Sequence, residues 1–488
     1  MKQFFMWTLF ICFTGACFFY VMDTIESSYA MINESAEVSV MSMKQMVVTM
    51  QKQRTMQKKS TEDINNLFSQ RCIAVEYSTQ GSVCKTGENA ETCVQDVTAS
   101  RLSKPMCLEY QKQDYVKTPQ DGVRAIYMSS YVASNKSFRK KLVDLVDQSE
   151  LNTIVIDVKE VEGYVNYAIS DTTRFPYQRN LMFDIEDFIK QLHNKNIYVI
   201  GRIVVFKDGQ WVRDNPGDAV QKKSDPGTPW EDFNGKTFVD PGARDYWDYI
   251  VAIADNAHKL GFDEINFDYI RYPSDGNVAN ILYPQSGDVL SEYGLEKGRS
   301  MTVNDFSQYI TRKLRELNSD IVMSGDVFGM VSTARNDVTI GQRLEPMLLA
   351  YDYISPMVYP SHYPMGFLNL SGHPDLHPYE VVNRAQQTAQ ERMIVLQTRL
   401  LGARQATTTA ALQDILGTYT EHKNTNIQDV RVGALRPWLQ DFTCTWCQGS
   451  KPYGAAEVQA QIQATNDAGQ QGWMLWDAGN RYRGYREI

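Results

Sequence analysis

From Gly122 onward, short apolar runs alternate with stretches in which apolar residues recur every three or four positions. The runs are GVRAIYMSSY from Gly122, NTIVIDVKE from Asn152, IYVIGRIVVF from Ile197, FDEINFDYIRYP from Phe262, DIVMSGDVFGM from Asp320, DYISPMVYP from Asp352, RVGALRPWLQDF from Arg431 and QGWMLWDAG from Gln471. Runs of this length, rich in β-branched and aromatic residues, predict strands. Between them, single helical faces are formed by Phe138, Leu142, Leu145 and Val146, by Ile185, Phe188, Ile189 and Leu192, by Trp247, Ile250, Val251 and Ala254, and by Phe306, Tyr309, Ile310 and Leu314. A further helix is predicted from Thr408 to His422. Eight strands alternating with amphipathic helices predict an α/β chain folded as a (β/α)8 barrel with enlarged loops. A doubly wound open sheet is the alternative, weakened because no Gly-rich phosphate loop follows any strand.

Residues 1–120 have a different texture. Phe4 to Met22 is free of charge and long enough to cross a bilayer, with Lys2 before it, so residues 1–30 read as a transmembrane anchor or signal sequence. The only small-x-small site, Ser28-Tyr29-Ala30, lies well downstream, which favours an uncleaved anchor over a cleaved, secreted chain. TGAC at Thr14 to Cys17 is a poor lipoprotein signal, because Thr14 stands where an aliphatic residue is wanted. Residues 31–68 are polar, Met-rich and without Pro or Gly, as in a helical stalk; residues 69–120 form a Cys-containing connector, and residues 121–488 the barrel domain. The expected location is extracytoplasmic, in the cell envelope.

Cysteines fit that compartment. Cys12 and Cys17 lie in the apolar segment, and the remaining even set, Cys72, Cys84, Cys93, Cys107, Cys444 and Cys447, suggests disulfides. Cys444-Thr-Trp-Cys447 can be a loop disulfide, a redox pair or half of a zinc site; without a second CxxC or a thioredoxin-like context, loop closure is favoured. The chain has a net charge of -9, which argues against a nucleic-acid partner. With 43% hydrophobic residues over 488 positions it can bury a large core.

In a barrel the site is built at the C-terminal strand ends. Those ends carry Asp157, Lys159 and Glu160 on strand two; Asn266, Asp268, Tyr269 and Arg271 on strand four; Ser324 and Asp326 on strand five; Tyr359, with His362 beyond it, on strand six; Arg436, Trp438 and Gln440 on strand seven; and Trp476 and Asp477 on strand eight. An isolated acid at a strand end is commonly a cap or a loop ion pair. Asp268 and Asp326 differ, because each shares a face with an upstream polar neighbour and neighbouring strands would bring them together. Two carboxyls across a sugar bond are what glycoside hydrolysis needs, one protonated to help the leaving group and one ionised. Rings at Trp211, Trp230, Tyr269, Tyr272, Tyr359, Tyr363, Trp438 and Trp476 could stack on sugar faces, although many must simply plug the barrel. His362, His373 and His377 match no metal signature, and neither a metal nor a cofactor is expected. No GxSxG stands at a strand end for a Ser nucleophile.

At these motifs the chain resembles a family of bacterial glycoside hydrolases with a (β/α)8 barrel, distantly similar to the α-amylase clan. The resemblance runs from about Gly122 to Tyr482 and is carried by GVRAIYMSSY, TIVIDVKEVEGYVNY, FDEINFDYIRYP, SGDVFGM, YISPMVYPSHY, LRPWLQDF and GWMLWDAGNRY. It implies the barrel and hydrolysis of glycosidic bonds in a polysaccharide or glycan. Amylase-like barrels place the nucleophile after strand four and the general acid after strand five, here Asp268 and Asp326. Where that pattern has Arg two residues before the nucleophile and Glu on strand five, this chain has Asn266 and Asp326. Inversion through a bound water therefore stands beside retention. The remaining strand-end residues, Asp157, Lys159, Glu160, Asn266, Tyr269, Arg271, Tyr359, His362, Arg436, Trp438, Gln440, Trp476 and Asp477, are the expected pocket wall. Glu264 is expected deeper, as a structural acid, and Asp263 in the turn before strand four. The alternative function is a non-catalytic carbohydrate-binding or cell-wall scaffold barrel.

Overall fold

A computed structural model describes residues 116–406, 430–470 and 472–488. The chain divides into two units, Met1–Cys107 and Leu108–Ile488, and every described residue belongs to the second. The apolar segment 4–22, the stalk, the four cysteines from Cys72 to Cys107 and the helix expected from Thr408 to His422 lie outside the described residues. Among the described residues no helix is long and apolar enough to cross a membrane.

All eight expected strands are present: β1 (Val123–Met128), β2 (Thr153–Lys159), β3 (Tyr198–Val204), β4 (Glu264–Asp268), β5 (Val322–Phe328), β6 (Tyr353–Val358), β7 in two pieces (Ala434–Leu435 and Trp438–Gln440) and β8 (Gly472–Trp476). They pair in parallel in chain order, and β8 closes onto β1, so the sheet is a barrel with no free edge. β7 is broken at Arg436-Pro437, because Pro437 has no N–H to give to the ladder. At the closing seam Gly472 has φ 102°, and a Cβ there would meet the Val123 carbonyl oxygen at 2.5 Å; this start to β8 requires glycine.

Four expected helices follow their strands: α1 (Lys136–Asp147), α2 (Ile185–His193), α3 (Arg244–Leu260) and α4 (Leu295–Leu317); α5 (Leu344–Ala350), α6 (Pro378–Ala406) and α7 (Ala455–Asp467) complete the outer layer. Strand alternation sorts the apolar residues into two sets. Ile154, Ile156 and Val158 of β2 face the helices, packing in one cluster with Leu142 and Val146 of α1. Val155, Tyr198, Ile200, Trp438 and Met474 point inward and fill the barrel. The loops after β3 and β4 share a small antiparallel sheet, Gln221–Lys222, Asp225–Pro229 and Ile281–Leu282, over a satellite core of Val220, Trp230 and Phe238.

The inner filling is not wholly apolar. Glu264 of β4, fully buried, forms an ion pair with Arg436, and its oxygens also accept from Ser324 Oγ at 2.5 Å and Tyr198 Oη at 3.2 Å. Glu264 is thus a deep structural acid, as expected. Arg436 corrects the pocket-wall expectation: the break in β7 places it in the barrel floor, with both Nη atoms donating to Glu264. Asp263 stands just before β4, where it accepts from Val199 N at 2.8 Å and Val116 N at 2.7 Å and meets His193 at 3.0 Å.

Removing one partner of such a pair strands a buried charge, so Glu264→Gln is expected to lower the free energy of unfolding by about 3–5 kcal/mol. Glu264→Leu combined with Arg436→Met should recover much of that loss, both read from urea unfolding curves. A single variant as stable as the parent would contradict the role given to the pair.

Candidate active site

The C-terminal strand ends hold a connected polar cluster centred on Arg202 of β3. Its Nη1 donates to Asp157 Oδ1 of β2 at 2.5 Å; its Nη2 and Nε donate to Asp268 Oδ2 of β4 at 2.6 and 3.1 Å. The ladder places Asp157, Arg202, Asn266 and Ser324 side by side on four successive strands, so half of the barrel wall supplies the layer. Tyr127 of β1 donates to the other Asp157 oxygen at 2.5 Å. Trp476 of β8 stacks on Tyr127 with ring centroids 4.1 Å apart, and the guanidinium lies 5.1 Å from the Trp476 ring centre.

Asp268 and Asp326 end β4 and approach the end of β5. The ladder pairs Phe267 with Gly325, so the two acids follow side by side on neighbouring strands. Their surroundings differ. Asp268 takes the guanidinium on Oδ2 and the Tyr269 backbone N–H on Oδ1 at 2.6 Å. Tyr269 holds φ 55°, a left-handed conformation costly for a side-chain-bearing residue, directly after this acid. Asp326 receives no cation; Oδ1 accepts from Asn266 Nδ2 and Trp438 Nε1, both at 2.9 Å, and among the described residues nothing donates to Oδ2. Burial first, and then the negative charge of Asp268, push the Asp326 carboxyl up to about 8, against the two hydrogen bonds and the Arg202 charge. With Oδ1 occupied by two donors, the proton belongs on Oδ2. Burial also raises Asp157 to about 6, although Arg202 pulls it down.

Other expected wall residues take several positions. Asn266 and Trp438 hold Asp326, and Tyr359 lies buried in the inner cluster with Trp438 and with Trp476 packed against it. Glu160 accepts from Ser130 and pairs with Arg179 at 3.2 Å. Arg271 donates to Tyr272 O and Ser274 Oγ, its guanidinium 4.8 Å from both the Tyr269 and Phe328 ring centres. His362 is exposed at the rim, its Nδ1 2.9 Å from Ser361 Oγ.

Three expectations are corrected. Lys159 does not share the Asp157 face: an irregularity in β2 between the two residues sends it to Asp208, at 2.8 Å, beside Tyr246 of α3. Gln440 is spent on the loops, accepting from Ser361 N and Oγ and donating to Asp375 Oδ1 and Phe442 O. Asp477 closes the turn after β8 by accepting from the backbone N–H groups of Gly479, Arg481 and Tyr482. Trp230 and Tyr272 are buried plugs, and Trp211, half-buried, donates to Asp218 while stacking on Tyr249.

Arg202 and Tyr127 were missed in the sequence. A single Arg inside the apolar run IYVIGRIVVF is the signal that could have found the first, since a strand-buried guanidinium requires anionic partners. Among the described residues no group of three His, Cys, Asp or Glu could hold a metal ion. A cavity of about 900 Å3 opens at the opposite barrel end, lined by Val322, Tyr353 and Ala434 at strand starts, away from these carboxyls.

A family model described as "Putative glycosyl hydrolase domain" matches residues 125–421 and 403–482. The chain belongs to that family. No protein of curated function matches this glycosyl hydrolase family member in sequence. Among solved structures it is similar to a hypothetical protein from Ruminiclostridium thermocellum ATCC 27405, at 31% identity over 41% of this chain and 97% of that one, TM-score 0.35. It is also similar to the PgaB (BpsB) glycoside hydrolase domain from Bordetella bronchiseptica, at 15% identity over 73% and 94% of the two chains, TM-score 0.47. A third is alpha-L-fucosidase isoenzyme 2 from Paenibacillus thiaminolyticus, at 12% identity over 73% of this chain and 46% of that one, TM-score 0.44.

A carboxyl raised from the ordinary aspartate range of about 4 binds a proton in the native state that the unfolded chain releases, so it lowers stability as pH rises. Between about pH 4 and the Asp326 value of about 8, the parent should therefore lose stability more steeply than Asp326→Asn. Urea unfolding of both proteins across that interval checks this; parallel slopes would refute the raised carboxyl.

Proposed function

We propose that this chain hydrolyses glycosidic bonds of an extracytoplasmic polysaccharide or glycan, with Asp326 as general acid and Asp268 as the ionised partner. The observation that carries the reading is the unequal treatment of two side-by-side carboxyls: Arg202 pairs with Asp268, while Asp326 is buried with no ion pair among the described residues, its carboxyl raised to about 8 by burial and by the Asp268 charge. A glycosidase needs that division of protonation. Arg202 also supplies from β3 the positive charge that the amylase pattern takes from the position of Asn266, beside which it lies in the ladder.

In this reading the Asp326 Oδ2 proton passes to the departing glycosidic oxygen as the C–O bond breaks. Asp268, on the strand beside Asp326, attacks the anomeric carbon in the retaining form of this reading. The ionised Asp326 then takes a proton from water as that water displaces Asp268 and restores the acid. Asp157 and Tyr127 orient the guanidinium. The charge-free segment 4–22 and the Cys444–Cys447 disulfide support a location outside the cytoplasm, anchored in the membrane or released if cleaved.

One observation favours the alternative, a glycan-binding barrel without turnover: Asp268 and Asp326 are only 5% and 1% exposed, so a sugar reaches them only if rings at the mouth give way. A polysaccharide panel separates the two. Hydrolysis by the parent should fall by about 10²–10⁴ in both Asp268→Asn and Asp326→Asn, with the alkaline limb of the parent's rate profile near pH 8. Full activity in either variant would overturn the assignment, and binding without turnover by the parent would establish the alternative.

A further inference from the structure

A row of aromatic rings leads from the carboxyls to the protein surface. It begins with Trp438 and Trp476, whose centroids are 5.6 Å apart, and continues through the inner cluster to Tyr359. Tyr359 meets Phe442 edge-on at 5.6 Å, and Phe442 lies parallel to Trp446, 7° between planes and 6.5 Å between centroids. Trp446 is 73% exposed.

The chain fixes this exposed ring in place. Cys444, fully buried, is joined to Cys447 by a disulfide, so Trp446 rides on a ring closed at a separation of three residues. Ser450 Oγ donates to Cys444 O at 2.7 Å. Gln440 ties the base of this loop to Ser361 in the loop after β6, which keeps Tyr359 and His362 beside Phe442. An indole left in water contributes nothing to folding through burial, and holding it rigidly reduces the ordering cost of placing a ligand on it. The flat apolar face of a pyranose is the chemistry that such a ring accepts, and the packed rings, buried at Trp438 and Tyr359, join this exposed platform to the wall around the carboxyls.

We propose that Trp446 is the outer platform of an extended glycan-binding groove, so that the ligand is a polysaccharide or long oligosaccharide spanning several rings rather than a disaccharide. This rests on the glycosidase reading for the direction of the groove, but its test is made on binding. The probes are immobilised disaccharides and hexasaccharides with β-glucan, α-glucan, xylan, galactan and N-acetylglucosamine backbones, presented to the full chain carrying Asp326→Asn. The expected result is preference for one hexasaccharide over its disaccharide. Adding Trp446→Ala should weaken the hexasaccharide by about tenfold without changing the disaccharide, and Trp446→Tyr should retain most of the affinity.

Equal hexasaccharide affinity with and without Trp446→Ala, equal loss for both lengths, or no length preference before substitution would overturn the platform. So would the absence of binding to every probe. Asp326→Asn that still cleaves the bound hexasaccharide would instead overturn the acid assignment, leaving the platform to be judged by its affinities.

Discussion

The buried guanidinium of Arg202 holds together the polar cluster of the barrel mouth. Three strand-end carboxyls, Asp157, Asp268 and Asp326, are removed from water there, and one cation is placed among them. Arg202 reaches two, with contacts of 2.5 Å to Asp157 and 2.6 Å to Asp268. The third, Asp326, is buried beside the charge of Asp268 with no ion pair of its own among the described residues, and its carboxyl is raised accordingly. The unlike surroundings of Asp268 and Asp326 thus follow from the reach of one side chain.

That arrangement needs a rigid frame, and the ion pair of Glu264 and Arg436 beneath it provides part of one. It links β4 to β7 across the barrel interior, and Ser324 joins the two levels by donating to Glu264 and accepting from Asn266, which also holds Asp326. A displaced floor would therefore be felt at the acid.

Much of this is legible in the sequence. The strands announce themselves through apolar runs, and period-two alternation puts Asp157, Asn266 and Asp326 on inward faces. Glu264 was correctly placed deeper than Asp268. Misplacements arose where local geometry departs from simple alternation: the irregularity in β2 turns Lys159 outward, and Pro437 breaks β7 so that Arg436 falls into the floor. The long α6 went unmarked because its polar residues spread round much of its surface, which blurs the helical stripe. Arg202 was hidden by its setting: within one apolar strand, nothing local shows that two neighbouring strands will deliver carboxylates to it. In the sequence Trp446 is one residue of a short Cys-bounded loop, and its parallel alignment with Phe442 exists only once the loop is folded.

The central claim is that burial, and then the neighbouring charge of Asp268, raise the Asp326 carboxyl, while Arg202 is ion-paired with Asp157 and Asp268. Its most direct test is carbon-13 NMR of the chain labelled at aspartate carboxyls, with Asp326→Asn identifying the resonance. The account predicts that this carboxyl titrates with a midpoint near 8. A midpoint in the ordinary aspartate range, about 4, would contradict it.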